Sequence, residues 1–366
     1  MNEHELAILR QFCLDAEPAS CTPYGCGHIN RTYLVATAGG RCYILQKINH
    51  HTFRDVAGLM ENIELVTEHL RRKSPDPRSV LTLIRTKDGK SYLEADVGYW
   101  RVFRFVEDSI CLQQPESDAD FYESAVGFGT FQQLLSDFPA EKLHETIPNF
   151  HNTPDRYRAF HETLTRDPMH RAAQVQPEIE FALARQAEMA ALQNALDAGE
   201  LPLRVTHNDT KLNNVLFDAK TRRALCIIDL DTVMPGSALY DYGDSIRFGA
   251  ATAAEDEREL DKMEMSLERF RVFTRGYVRA CPGLTQKELE LLPLGAKVMT
   301  MECGVRFLTD HIDGDNYFSI HREGQNLDRA HTQFKLVADM ERKWDKMKEI
   351  VNEEVQNAKE NGSCCI

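Results

Sequence analysis

The sequence predicts an α+β chain in two lobes: a small antiparallel sheet carrying one helix, then a larger, mainly helical part. Three observations predict it. Alternating β-rich runs fill residues 22–48 and meet at Ala38-Gly39-Gly40, a hairpin signal. A helical stretch at 55–73 separates them from strand-like runs at 80–86, 90–94 and 98–106, punctuated by Lys87-Asp88-Gly89-Lys90. Beyond Phe105-Val106-Glu107 the apolar periodicity becomes helical, at 117–136, 154–164, 176–198, 255–279, 286–313 and 325–358. The change of character near 107–112 divides the chain into an N-terminal lobe, 1–107, and a C-terminal lobe, 108–366. Only 204–231 interrupts the helical half, with β-rich runs at 214–217 and 224–229 around the polar turn Asp218-Ala219-Lys220-Thr221.

Composition narrows the function classes. A chain of 366 residues can bury large cores without covalent staples. A formal net charge of −14 argues against a basic groove for a nucleic-acid backbone. The ten cysteines form no CxxC pair and no zinc-like spacing with histidine, the usage of a reduced, cytoplasmic protein with free thiols. The first residues, MNEHELAILRQF, include acids and lack the apolar core of a secretory signal. No run of about 18 apolar residues spans a membrane. Ser363 stands where a C-terminal lipidation box would need cysteine.

The stretch Val205–Asp244 carries most of the chemistry. His207-Asn208-Asp209 with Asn214 reads HxDxxxxN, and Ile227-Ile228-Asp229 ends an apolar strand on a carboxylate. Phosphoryl transfer needs such a set: a carboxylate to orient the attacking hydroxyl and accept its proton, and hard oxygen ligands for Mg²⁺ beside the phosphates. Asp209 suits the first task, and Asn214 and Asp229 the second. Lys211 is placed either to neutralise phosphate charge or to sit solvated on its loop. Asp231 is either a further metal ligand or a loop cap. His207 is expected to bond backbone and brace the loop.

ATP needs a cation and a close backbone approach. Lys47, in Tyr43-Ile44-Leu45-Gln46-Lys47, lies on the second strand after the glycine-containing turn, where a phosphate-pairing lysine is expected. Gly25 and Gly27 frame a turn whose N–H groups no Cβ would obstruct, although Asn30 stands where a third glycine would be. In the following helix Leu59, Ile63, Val66 and Leu70 share the buried face, Glu61 and Glu64 point away, and Asn62 lies at its edge. Asn62 is therefore the expected neighbour of Lys47.

HNDTKLNNVLFD and IDLDTVMPG, with GHINRTYLV, LQKIN, LMENIELVTEHL, ETIPNFHNTPDRY and RFLTDHIDGDNYF, closely resemble N-acetylhexosamine 1-kinases of the aminoglycoside-phosphotransferase superfamily, over about residues 20–345. The resemblance implies a bilobal protein-kinase-like fold and ATP- and Mg²⁺-dependent phosphorylation of the anomeric hydroxyl of GlcNAc or GalNAc. It also implies sugar contacts at Arg306 and Tyr317, joined by His28 beside the glycine turn. By their residue types alone, Arg306 could equally pair with Asp310 or Asp313, and Tyr317 could be core. Trp100 and Arg101 open a strand and read as structural, and Asp241, Gly243 and Asp244 as braces for the catalytic loop. A kinase of another hexose, an aminoglycoside, choline or homoserine, or a silent pseudokinase, remains an alternative on the same fold; oligomeric state is left open.

Overall fold

A computed structural model describes residues 3–25, 29–96 and 98–362. The first lobe is built on one sheet, with strands β1 (Pro18–Pro23), β2 (Arg31–Thr37), β3 (Cys42–Ile48), β4 (Leu83–Ile84), β5 (Leu93–Ala95) and β6 (Gly98–Arg104). Their order is β1-β2-β3-β6-β4, with β5 also on β6, and every pairing is antiparallel. Successive residues of a strand face opposite sides. Tyr43, Leu45, Trp100 and Val102 therefore pack under helix α1 (Glu3–Leu9), whereas Ile48 and Phe103 pack against α2 (Val56–Lys73). Asp55 caps α2 by accepting from the Gly58 N–H, which fixes where the helix starts.

Strand β7 (Ser109–Cys111) leads into the second lobe. There, helices α3 (Asp118–Leu134), α4 (Thr153–Arg166), α5 (Gln176–Met189) and α6 (Ala191–Asp197) precede four short strands, β8 (Arg204–Thr206), β9 (Val215–Asp218), β10 (Ala224–Ile227) and β11 (Met234–Gly236). Helices α7 (Ala238–Gly249), α8 (Leu267–Ala280), α9 (Gln286–Asp313), α10 (Gln325–Arg342) and α11 (Trp344–Gly362) complete it. β9 pairs with both β10 and β7, and β11 pairs with β8, so two small ribbons sit where the lobes meet. One large apolar core runs through the helices of this lobe.

The sequence expectations fail mostly at element ends. β1 is a strand in its own right, and the runs at 80–86 and 90–94 shrink to two and three paired residues. The stretch 255–266 is not α-helical; α8 begins at Leu267, capped by Ser266. The expected helix over 325–358 breaks at Lys343, whose ammonium donates to the Met265 carbonyl and to Asp339. Such tertiary hydrogen bonds override a periodicity that is locally continuous.

Helices α7 and α9 approach closely at glycine. A Cβ on Gly243 would lie 2.3 Å from the Gly295 carbonyl oxygen and 2.6 Å from Met299 Cγ. Because the nearest obstacle is backbone, relief requires moving a helix. Gly243→Ala should therefore lower stability by about 1–3 kcal/mol in denaturant unfolding; an unchanged midpoint would show that the helices separate freely.

Candidate phosphotransfer site

The site is built around the loop after β8. Asp241 of α7, buried at 1% exposure, accepts from the His207 N–H (2.9 Å), the Asn208 N–H (2.8 Å) and the Gln132 amide of α3 (3.0 Å). Burial raises its carboxyl from the ordinary value, an effect opposed by His207 and these donors. Asn208 takes a left-handed backbone, φ 65°, which asparagine tolerates, and its amide donates to the Thr232 carbonyl. Thr232 in turn donates from its hydroxyl to the His207 carbonyl. The loop is thus laced to the turn that follows β10.

That lacing brings the expected catalytic groups together. His207 donates from Nε2 to the Ile228 carbonyl, and its Nδ1 accepts from the Asp209 N–H, so the ring braces backbone. The Ile228 N–H donates to the Asn214 carbonyl, which places Asn214 beside the residue preceding Asp229. Lys211 Nζ lies 2.6 Å from one oxygen of Asp209, and the Asn214 amide donates to the other at 3.1 Å. Asn214 also donates to the Asp209 carbonyl, leaving its own Oδ1 without a protein donor among the described residues. Oδ1 is the hard oxygen a Mg²⁺ ion would take.

Two carboxyls of the site are pushed in opposite directions. Burial alone would raise Asp209, but Lys211, with His207 and Asn214, outweighs it and holds the carboxyl below its ordinary range. Lys211 is raised in return, chiefly by the Asp209 charge. Asp229 is exposed at its surface and takes a left-handed backbone, φ 59°. Desolvation, then the nearby charges of Asp231 and Asp209, push its carboxyl up to about 6. A strained aspartate crowded by other carboxylates is what a divalent cation relieves. Asn214 and Asp229 therefore fit a metal that draws its remaining ligands from phosphates and water.

Other expected residues lie elsewhere. Asp231 is buried: its Oδ1 lies 2.5 Å from Arg101 Nη1 as an ion pair without hydrogen-bond geometry, and its Oδ2 accepts from the Asn30 amide at 2.6 Å. It sits on the 3₁₀ turn Leu230–Thr232, and both of these contacts come from the first lobe. Lys47 is on the wrong face of the sheet. It pairs across to Trp100, and its Nζ lies 5.6 Å from that ring's centroid, on the side covered by α1. Asn62 does not approach it; its amide donates to the His144 and Val233 carbonyls and its Oδ1 accepts from the His144 N–H. Glu61 instead bonds His144, and Glu64 bonds Arg85. Gly25 has φ 77° and open space around a Cβ position. Gly27 and His28 lie outside the described residues.

The acceptor side holds residues that sequence reasoning missed. His151, buried, bonds the Asn208 carbonyl through Nε2 and Glu302 through Nδ1, and Thr153 donates to the other Glu302 oxygen. Against the desolvation of complete burial, His151, Arg306 and Arg156 hold the Glu302 carboxyl below its ordinary value. Arg306, one turn further along α9, carries its guanidinium 5.3–5.7 Å from the rings of Phe150, Tyr317 and Phe318. It pairs with neither Asp310, which accepts from the backbone of 316–318, nor Asp313, which pairs with Arg166. Tyr317 is 66% exposed, so it is no core residue. Beside His151, a cavity of about 360 Å³ lies between Phe150, Asn208, Met234 and Tyr240.

A sheet lobe over a helical lobe, with a carboxylate, an amide and a second carboxylate at their junction, defines a phosphotransferase of the bilobal kinase-like class. Residues 20–272 match the phosphotransferase enzyme family (APH), and the chain belongs to that family. Solved structures share the fold at low identity. A microcompartment-associated aminopropanol kinase matches at 18% identity and TM-score 0.58, over 94% of this chain and 98% of that one. The amicoumacin kinase hAmiN, solved with AMP-PNP, Ca²⁺ and amicoumacin, matches at 14% and 0.58, over 92% and 93%. A choline kinase from Cryptosporidium parvum Iowa II matches at 12% and 0.54, over 91% and 92%.

Asp209→Asn should lower kcat about 10²–10⁴-fold while ADP affinity, measured by calorimetry, stays within about twofold. Near wild-type turnover would remove Asp209 as the base. Asp229→Ala should raise the divalent metal needed for half-maximal rate about tenfold or more; an unchanged titration would remove it from the ligand set.

Proposed function

We propose that the protein transfers the γ-phosphoryl of ATP to the anomeric hydroxyl of an N-acetylhexosamine, GlcNAc or GalNAc, giving the sugar 1-phosphate. The reading rests on one observation: Asp209, kept ionised by Lys211, faces a site whose Asn214 oxygen and Asp229 carboxylate suit a divalent cation. Asp209 orients the hydroxyl and accepts its proton, and Lys211 offsets charge that develops on the phosphoryl group. Asn214 and Asp229 would hold a Mg²⁺ ion, which would supply neutralising charge at the phosphates. A neighbour of the same fold was solved with AMP-PNP and Ca²⁺, which supports a nucleotide and a divalent cation here.

For the acceptor, the Arg306 environment favours a neutral sugar over a cation. Phe150, Tyr317 and Phe318 could have formed a cage for a quaternary ammonium, but their faces receive the Arg306 guanidinium, and Arg156 adds a second positive charge nearby. Arginine forks and aromatic faces suit hydroxyl and amide groups on a sugar ring.

Incubation with ATP, Mg²⁺ and a panel of N-acetylhexosamines, hexoses, aminoglycosides and choline, followed by ³¹P NMR of the product, tests both parts. The expected product is a C1 phosphate. A C6 ester would keep phosphotransfer and overturn the regiochemistry, and turnover only with a cation would overturn the acceptor. Arg306→Ala should raise the sugar KM about tenfold or more with the ATP KM unchanged.

A further inference from the structure

Phosphoryl transfer draws on positive groups near the phosphates, and Lys47 lies on the other face of the sheet, over Trp100. The register explains why. β3 and β6 pair Lys47 with Trp100 and Gln46 with Arg101, so a shift of one residue separates the outer face from the face toward α2. On that inner face the cation is Arg101, only 1% exposed. Gln46 fixes it, accepting from Arg101 Nε at 2.9 Å while donating from its own amide to the Thr32 hydroxyl at 3.1 Å. The guanidinium also lies 5.1 Å from the Phe103 ring.

Arg101 reaches across the lobes. Its Nη1 meets Asp231, which the Asn30 amide holds from the other oxygen, and Asn30 is itself anchored by accepting from the Asn49 N–H at 2.9 Å. Asp231 lies two residues beyond Asp229, on the 3₁₀ turn whose first carboxylate takes the left-handed backbone. Two parts of the first lobe thus meet one carboxylate of the second, β6 and the approach to β2, with the residue after β3 holding Asn30 from behind. A buried ion pair of this kind adds little to stability over an apolar pair of similar volume. Its value lies in fixing where Asp231, and with it Asp229, stands.

We propose that Arg101, acting through Asp231, is the positioning residue that sets the metal-side carboxylate Asp229 for a nucleotide-bound divalent ion, and that Lys47 has no part in nucleotide binding. The inference rests on the phosphotransfer reading above. Its burial keeps Arg101 from touching phosphate directly, so its contribution is confined to binding that involves the metal. Asn30, at the place where a third glycine was expected, ties the start of β2 to the same carboxylate, which gives the departure from a glycine pattern a physical reason.

Calorimetry of the full-length protein with ADP, in the presence of Mg²⁺ and again in EDTA, tests this. Arg101→Met should weaken Mg²⁺-dependent ADP binding about 10–100-fold, the range for removing a group that orients a metal ligand, and leave binding in EDTA within about twofold. Arg101→Lys, which keeps the charge, should recover part of the loss. Because Arg101→Met strands a buried carboxylate, Asp231→Asn and the double variant are measured beside it. If the two residues act as one unit, the double variant loses no more than the worse single variant. Lys47→Ala should bind as wild type in both conditions. Equal losses with and without Mg²⁺, additive losses in the double variant, a loss in Lys47→Ala, or wild-type affinity in folded Arg101→Met would each overturn the inference and leave phosphotransfer standing. Failure of the unaltered protein to bind ADP at all would take down the phosphotransfer reading, and this inference with it.

Discussion

The candidate site depends on one buried carboxylate, Asp241 of α7. Asp241 accepts three hydrogen bonds, two of them from consecutive N–H groups of the loop that carries Asp209. A carboxylate this deep would be costly if unpaired, so the donors and the acid hold each other in place. Because Asp241 sits on α7 and Gln132 on α3, the loop is referenced to two helices of the large core. Thr210 extends the same anchoring, donating from its hydroxyl to the Asp241 carbonyl while its N–H meets Asp244. Asp244 is itself held by Arg247.

On that fixed loop, electrostatics separates the roles of two acids of the same type. Asp209, paired with Lys211, is held ionised, as a proton acceptor aligned with a hydroxyl must be. Asp229 has no such partner among the described residues, and desolvation together with the charges of Asp231 and Asp209 makes its ionised form costly. The same site thus presents one carboxyl held ionised and another whose charge its surroundings oppose, the contrast that the proposed base and metal ligand would use. The positive-φ backbone of Asp229 fits this picture, since strain at such a residue persists only where surrounding contacts determine it.

The opposite wall follows a similar logic over longer distances. His151 precedes α4 and Glu302 lies on α9, 151 residues apart, yet their buried bond links the Asn208 carbonyl to the helix that carries Arg306. The loop that carries Asp209 is therefore tied through His151 and Glu302 to the same helix that carries Arg306 and its aromatic neighbours.

The residues of HxDxxxxN and the aspartate after the apolar strand announce phosphotransfer chemistry in the chain itself, because local loop and hairpin geometry suffices to bring Asp209, Lys211, Asn214 and Asp229 near one another. The two-lobed class was legible for the same reason, as periods of two and 3.6 are local properties. Which face a residue takes was not. Lys47 and Gln46 are neighbours in sequence and differ only in the parity of the β3–β6 register, and nothing within the strand says which side a helix will cover. The partners of Asp231, Asn62 and Glu302 come from segments 82 to 201 residues away. Such pairings exist only once the lobes have docked and buried polar groups have had to find one another, so tertiary structure alone decided them.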